Sequence, residues 1–239
     1  MRGLNEDVES PDDGLPGIVA RLTADEPLDR RTRAGLVGRL AVLLGKRGRR
    51  LADAMTEIAP HIRIRDRRTL HQHYMNLDDD EIARQLIASA ARATAAVGVA
   101  GGLLSTIEIA SPPVLLTAPV QIAAETIAVV AIETKLVAEL HELFDRGVVG
   151  TSAVRGAAYL GSWARRRGLD PFAPSPRLAE TVTGAAQREL RHRLMRRAGR
   201  NSLTVVPFLA GAIAGASLNR RETLKLGDRI MRDLRPPRR

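Results

Sequence analysis

Two long stretches of the sequence carry no charge: residues 93–107, ATAAVGVAGGLLSTI, and residues 201–219, NSLTVVPFLAGAIAGASLN. Alanine and leucine favour helix, whereas strands favour β-branched and aromatic residues. Aromatic residues make up only 3% of the 239 residues. The composition therefore predicts an all-α fold, a compact multi-helix bundle with Gly/Ala-rich apolar helices at its centre.

Both uncharged stretches contain glycines at helical spacing. Gly98 and Gly102 are four residues apart, and so are Gly211 and Gly215. Residues at positions i and i+4 lie on one face of a helix, and small residues there let a second backbone approach closely. We therefore expect these four glycines to lie at helix–helix contacts.

Apolar periodicity and stop signals place the remaining helices. The predicted segments are an apolar stripe over Leu36–Leu44, a short helix over Leu51–Ile58, a helix from Asp78 into residues 93–107, a long helix over Val114–Phe144, and helices over Thr151–Arg167, Arg177–Arg197 and Arg220–Leu234. Asp78 and Glu81 have the spacing of a capping box. The short segment His61–Arg68 is predicted to be an extended linker. Residues 1–14 are predicted to be a disordered acidic tail, residues 15–235 a single helical domain, and residues 236–239 a basic tail.

The net charge of +10 raises the question of an anionic partner. Only three of the 37 basic residues are lysines, aromatic residues that could stack on bases are few, and no nucleic-acid motif is present. We therefore do not expect a nucleic acid and favour an anionic lipid surface or another protein. The candidate lipid contacts are Arg193, Arg196, Arg197, Arg200, Arg220 and Arg221.

Acidic residues interrupt the apolar pattern of the long central helix. The candidate buried polar residues are Glu108, Glu125, Glu133, Glu139 and His141. An isolated buried carboxylate is costly, so each one needs a partner. Pairing with arginines is the interpretation we prefer. The alternative is a polar site in the bundle that binds a metal ion or a lipid headgroup.

Several function classes lack their sequence signatures. The chain contains no cysteine, and it shows no P-loop, dinucleotide fingerprint, nucleophile elbow or HExxH motif. We assign no catalytic, cofactor-binding or metal-binding residue. The acidic N-terminal sequence lacks the apolar core of a secretory signal, so we expect an intracellular protein, in the cytoplasm or on the cytoplasmic face of the membrane. A helix over residues 201–219 would span roughly 28 Å, and a buried core helix is favoured over a membrane span.

Three stretches resemble the EcsC-like family of bacterial proteins. They are residues 93–104 (ATAAVGVAGGLL), residues 111–144 (SPPVLLTAPVQIAAETIAVVAIETKLVAELHELF) and residues 205–230 (VVPFLAGAIAGASLNRRETLKLGDRI). The resemblance covers about residues 78–234. This chain has Ser-Pro-Pro where the family has an Asp-Ile/Leu-Pro type of turn, and Phe-Asp-Arg-Gly where the family has a tight aromatic-Gly pair. The resemblance implies an all-helical protein, membrane-associated in several family members, with no established reaction and no catalytic residues to carry over.

Three functions follow as hypotheses. The first is a non-enzymatic accessory protein that docks on a membrane or a partner through its Gly/Ala-rich helices and Arg-rich faces. The second is a soluble homo-oligomeric helical scaffold whose apolar helices are internal. The third is a metal-dependent enzyme that uses the carboxylates of the central helix, and we rank it last.

Overall fold

A computed structural model describes residues 14–47, 51–107, 118–167 and 206–235. Its helices are α1 (Leu15–Leu22), α2 (Arg30–Arg47), α3 (Leu51–Ile58), a 3-10 turn (Ala59–His61), α4 (Arg67–His73), α5 (Asp79–Ile107), α6 (Ala118–Leu143), α7 (Ser152–Arg166) and α8 (Val206–Leu234). The predicted all-α fold is confirmed, since these residues form eight α-helices and contain no strand. The predicted helix over Arg177–Arg197 and most of both predicted tails lie outside these ranges.

Side-chain caps mark the starts of several helices, among them α4, α5 and α7. Asp78 Oδ1 accepts from the Glu81 N–H at 2.7 Å, and Glu81 Oε2 accepts from the Asp78 N–H at 3.0 Å, so the predicted capping box of α5 is confirmed. Thr151 caps α7, since its side-chain oxygen accepts from the Val154 N–H. Asp66 Oδ1 accepts from the Thr69 N–H at 2.7 Å and so begins α4. The predicted extended linker over His61–Arg68 was therefore wrong at both ends, because His61 belongs to the 3-10 turn and Arg67 and Arg68 belong to α4.

The helix α8 joins two segments that the sequence analysis had separated. It runs without a break from Val206 to Leu234, so the predicted helix start at Arg220 was wrong. Pro207 does not interrupt α8, because the backbone N–H groups of a first helical turn have no intrahelical acceptor. Asn219, at the predicted boundary between the two segments, is part of the helix and donates from Nδ2 to the Thr94 carbonyl at 3.2 Å.

α5 and α6 form the centre of the bundle. α2 packs on both of them, α8 packs mainly on α5, and α7 packs on α6 and the 3-10 turn. The predicted leucine stripe of α2 is buried in this core, as are Ile82 and Leu86 of α5 and most of the apolar side chains of α6. At the end of α6, Asp145 takes a left-handed conformation with φ 55°, and the Arg146 N–H donates to the His141 carbonyl at 2.8 Å.

A close backbone contact joins α5 to α8, which run antiparallel. A Cβ added to Gly98 would lie 2.9 Å from the Ala216 nitrogen and 3.0 Å from the Gly215 carbonyl carbon. Farther along the pair, a Cβ at Gly227 would lie within 2.9 Å of the Ile87 side chain. Two of the four predicted glycines, Gly98 and Gly215, therefore face each other across this contact.

The other two predicted glycines lie closer to the ends of the same helices. Gly102 is on α5 and Gly211 is on α8. The antiparallel register of the pair, extended by one turn, brings Gly102 level with Gly211.

The α5–α8 contact predicts a large difference between two Gly→Ala substitutions. Gly98→Ala should lower the free energy of unfolding by about 1–3 kcal/mol, because the methyl group meets backbone atoms that cannot move independently. Gly35→Ala on α2 is the matched control: it is exposed, has nothing within 4 Å of an added Cβ, and should stabilise by about 0.5–1 kcal/mol through helix propensity. Urea unfolding followed by circular dichroism measures both, and equal effects would contradict the packing.

Candidate functional site

Glu133 on α6, the most buried acid among the residues that the structure describes, joins four helices. Its side chain is 1% exposed. Oε2 accepts from the Trp163 indole N–H at 2.8 Å and from Arg167 Nε at 3.1 Å, and the second guanidinium nitrogen of Arg167 pairs with Oε1. Thr223 of α8 donates to Oε1 at 2.8 Å, and its oxygen lies 2.9 Å from the Thr94 hydroxyl of α5. This polar centre is fully paired and has a structural role.

Glu139, two turns farther along α6, holds an irregular part of the chain. It is 2% exposed and forms a two-pronged ion pair with Arg65, whose Nε and Nη2 lie 2.8 and 2.9 Å from its two oxygens. Lys135 Nζ lies 2.7 Å from Oε1, and Asp25 lies 3.2 Å from both cations. Burial alone would lower the pKa of Arg65, but the carboxylates of Glu139 and Asp25 raise it, so the guanidinium stays charged.

His141 lies at the contact between α6 and α7. Its Nδ1 is 2.6 Å from the Val137 carbonyl oxygen and therefore carries a proton, and its ring lies 5.8 Å from the Tyr159 ring. The Tyr159 hydroxyl donates to Glu142 at 2.7 Å, and Arg155 donates to the same oxygen at 2.9 Å. Burial lowers the pKa of His141 below 6.5, whereas burial and the nearby Glu142 carboxylate raise the pKa of Tyr159 to about 12.

The predicted acidic residues do not converge on one site. Glu133 and Glu139 have separate partners, half-buried Glu125 accepts from Gln121 Nε2 at 3.2 Å, and Glu108 lies outside the described residues. Over residues 14–47, 51–107, 118–167 and 206–235, no group of three or more histidines and acids is placed to hold a metal ion. The contacts around Glu133 and Glu139 are those of ion pairing.

The sequence analysis did not identify the partners of these carboxylates. Trp163, Arg167 and Thr223 converge on Glu133, and Arg65 binds Glu139 from 74 residues away in the chain. The sequence contained one weak indication of this pairing. Trp163 is the only tryptophan of the chain and lies on the apolar face of α7. An indole buried among helices needs an acceptor for its N–H.

The uncharged parts of three helices meet at one end of the bundle. α5 ends there, α6 begins there after residues 108–117, and the antiparallel packing on α5 brings the start of α8 to the same end. Along α5 the last charged residue is Arg92, along α6 the first is Glu125, and along α8 the first is Arg220. We call this part the charge-free end: residues 93–107, 118–124 and 206–219.

Two of the six candidate arginines are described, and they lie just beyond the inner border of the charge-free end, away from the tips of the helices. Arg220 and Arg221 are exposed on α8, about 21 Å along the helix axis from its first residue. Arg92, also exposed, lies at the same level on α5. Arg193, Arg196, Arg197 and Arg200 lie outside the described ranges, in the sequence that leads to α8.

The class of protein that these observations define is an all-α bundle with polar centres along α6 and a charge-free end. No protein-family model, curated protein or solved structure matches the chain. Of the helices that the structure describes, none combines the length and the apolar character needed to cross a membrane.

The polar centre predicts that Glu133→Gln is strongly destabilising although it preserves shape. Four donor groups surround the carboxylate, and an amide offers one acceptor oxygen and two additional N–H donors. We expect the free energy of unfolding to fall by up to about 3 kcal/mol. The loss is limited because Arg167 is 24% exposed and can regain contact with water. Denaturant unfolding measures it, with Glu26→Gln on an exposed loop as the control.

Trp163 gives this prediction a local readout. Its indole N–H bonds directly to Glu133, and no other tryptophan contributes to the emission. The folded Glu133→Gln variant should therefore differ from the wild type in its fluorescence maximum. An unchanged emission spectrum together with unchanged stability would contradict the hydrogen-bond network.

His141 predicts a loss of stability on acidification. Its pKa is lowered in the folded protein, so below pH 6.5 the unfolded chain binds a proton that the folded protein does not. The contribution of His141 to the free energy of unfolding is therefore fully present above pH 6.5. It falls as the pH is lowered toward the pKa of His141 in the folded protein, by at most about 1.4 kcal/mol per pH unit. His141→Asn should flatten this slope between pH 7.5 and 5.5, whereas His61→Asn, at an exposed position, should not.

Proposed function

We propose that the protein is a non-enzymatic accessory protein that docks on an anionic membrane surface through the charge-free end. The convergence of three uncharged helix ends on one side of the molecule carries this proposal. A contact at the boundary between headgroups and acyl chains combines a modest apolar surface with attraction to anionic lipids.

The charge distribution along the helices supports contact with one leaflet. Along the helix axes, Arg92 lies about 22 Å from the last residue of α5, and Arg220 lies about 21 Å from the first residue of α8. Both distances are shorter than the roughly 30 Å hydrocarbon core of a bilayer, so the uncharged parts reach into a membrane without reaching across it. On α6, Glu125 limits the uncharged part to about 10 Å.

The proposed attachment depends on charge as well as on apolar contact. The charge-free end is rich in alanine and glycine, whose burial contributes little free energy per residue. The net charge of +10 is complementary to an anionic surface. The resemblance to EcsC-like proteins agrees with this proposal, because several members of that family are membrane-associated.

Site-specific labelling tests which end of the molecule meets the membrane. The chain has no cysteine, so Ser105→Cys at the charge-free end and Ser152→Cys at the exposed start of α7 each accept one environment-sensitive fluorophore. Vesicles of phosphatidylcholine with phosphatidylglycerol should shift the emission of the label at position 105 to shorter wavelength. The label at position 152 should change little, and high salt should reverse the shift.

The controls separate the alternatives. Pure phosphatidylcholine vesicles should give a much smaller change at position 105, because the electrostatic attraction is missing. A shift at position 105 that grows with protein concentration in the absence of vesicles would favour the homo-oligomeric scaffold. No shift under any condition, or equal shifts at both positions, would contradict docking through the charge-free end.

A further inference from the structure

Arg33, in the first turn of α2, is a buried arginine. It is 8% exposed and continues the buried face of α2 that Leu36, Val37 and Leu40 form. Among the residues that the structure describes, its guanidinium has one acceptor, the Leu28 carbonyl oxygen at 3.5 Å from Nη2, and the buried Nε has none. A guanidinium carries its charge at every ordinary pH, so the fold places a cation with few hydrogen bonds inside the bundle.

Asp25 and Asp29, which precede Arg33 in the chain, bind other residues. The Asp29 carboxylate accepts from the Thr32 N–H at 2.8 Å and from the Thr32 hydroxyl at 2.9 Å. Asp25 lies 3.2 Å from Arg65 Nε. Burial lowers the pKa of the Arg33 guanidinium, because it disfavours the charged form. An unpaired buried charge is costly, and a counter-charge beside Arg33 would remove that cost.

A second buried polar atom without a hydrogen-bond partner belongs to Thr134 of α6. Thr134 is fully buried, and its Oγ1 has no partner among the described residues. α2 packs on α6, and the two helices run antiparallel. At one end a Cβ added to Gly45 would lie 3.5 Å from Val120 Cγ1, and at the other Asp25, shortly before α2, lies 3.2 Å from Lys135 Nζ.

The register of the two helices brings the two polar groups to one level. Arg33 is twelve residues before Gly45, and Ile132 is twelve residues after Val120, so Arg33 is level with Ile132. Thr134 is therefore about 3 Å along the axis from the level of Arg33. Thr134 also lies fourteen residues, close to four turns, after Val120, so it points to within about 40° of the side that faces α2.

We propose that Arg33 and Thr134 bind the carboxylate of a small monocarboxylic acid between α2 and α6. A guanidinium binds a carboxylate through two parallel N–H···O bonds, and a threonine hydroxyl donates one more. One guanidinium balances one negative charge, whereas a phosphate group carries nearly two and has three strong acceptor oxygens. Buried neighbours in both helices, among them Leu36 and Ile132, are apolar, which favours an aliphatic remainder.

This site is separate from the proposed docking surface. Arg33 lies about 18 Å along α2 from Gly45, which is at the level of the first turn of α6. The inference therefore goes beyond the proposed function and does not rest on it. A vesicle-binding experiment leaves it untouched, and its own test uses no lipid.

The test compares the melting temperature of the full chain in sodium acetate and in sodium chloride at the same concentration and pH 7.5. A ligand that binds only the folded protein raises the melting temperature. The difference between the two salts should be larger for the wild type than for Arg33→Met by about 2 °C or more, since the difference left in Arg33→Met is the general effect of acetate as a salt. Thr134→Val should also reduce it.

Arg31→Met is the matched control, because it removes an exposed cation two residues away on the same helix. It should keep the full wild-type response to acetate. In chloride, Arg33→Met and Thr134→Val should melt at or above the wild-type temperature, because each replaces a buried polar group that lacks partners with an apolar one of similar size.

The other results would overturn the inference. A buried water molecule in place of the ligand would satisfy both polar groups, and the response to acetate would then be equal in the wild type and Arg33→Met. A lower melting temperature of Arg33→Met in chloride, without a specific response to acetate, would mean that Arg33 is paired within the folded chain. A specific response to sodium phosphate but not to acetate would exclude a monocarboxylate. Should Arg33→Met not fold, calorimetric titration of the wild type and Thr134→Val with acetate replaces the comparison, and equal binding or no binding would contradict the site.

Discussion

The contact between the backbones of α5 and α8 at Gly98 fixes the arrangement of the rest of the bundle. Any side chain at this position would meet the backbone at Gly215 and Ala216, and would push the two helices apart. With the helices in contact, Thr94 and Thr223 come within 2.9 Å of each other, and Thr223 reaches the carboxylate of Glu133. The far ends of the pair then meet as well, where Arg235 lies 2.8 Å from Asp80.

The central helix α6 uses its acids to select its neighbours. Glu133 and Glu139, six residues apart, point to different sides of α6, whereas Glu139 and Glu142, three residues apart, lie on neighbouring parts of one side. Each binds a different element: Glu133 binds α7 and α8, Glu139 binds the segment before α4, and Glu142 binds the first half of α7. A buried ion pair adds little net stability, but a carboxylate left without its partner is costly. The buried carboxylates therefore destabilise alternative packings of α6 more than they stabilise the native packing.

The features that the sequence predicted are those that depend on residues close together in the chain. The capping box of Asp78 and Glu81 and the leucine stripe of α2 were predicted because a single turn or helix determines them. The pairing of Arg65 with Glu139 could not be predicted, since nothing in either local pattern selects that arginine among so many.

The packing role of some small residues and the place where α2 ends also depend on residues that are distant in the chain, so the sequence analysis missed them. The role of Gly227 depends on Ile87 from another helix, and the place where α2 ends depends on the approach of Gly45 to Val120. A local pattern identifies a glycine as permissive for close packing, but only the fold supplies the residue that approaches it. The continuity of α8 was missed for a related reason, because a change from apolar to charged residues marks a change of environment rather than a helix end.

The two halves of the molecule are stabilised by different forces, and this difference bears on function. Three ion-paired carboxylates, Glu133, Glu139 and Glu142, lie along the second half of α6, away from the charge-free end. The charge-free end is rich in alanine and glycine, which can bury little apolar area per residue and therefore contribute little to stability. An end of this kind loses little by exchanging its own packing for contact with lipid, and gains little from that exchange alone. The attachment that we propose would therefore depend on electrostatic attraction as well as on apolar contact.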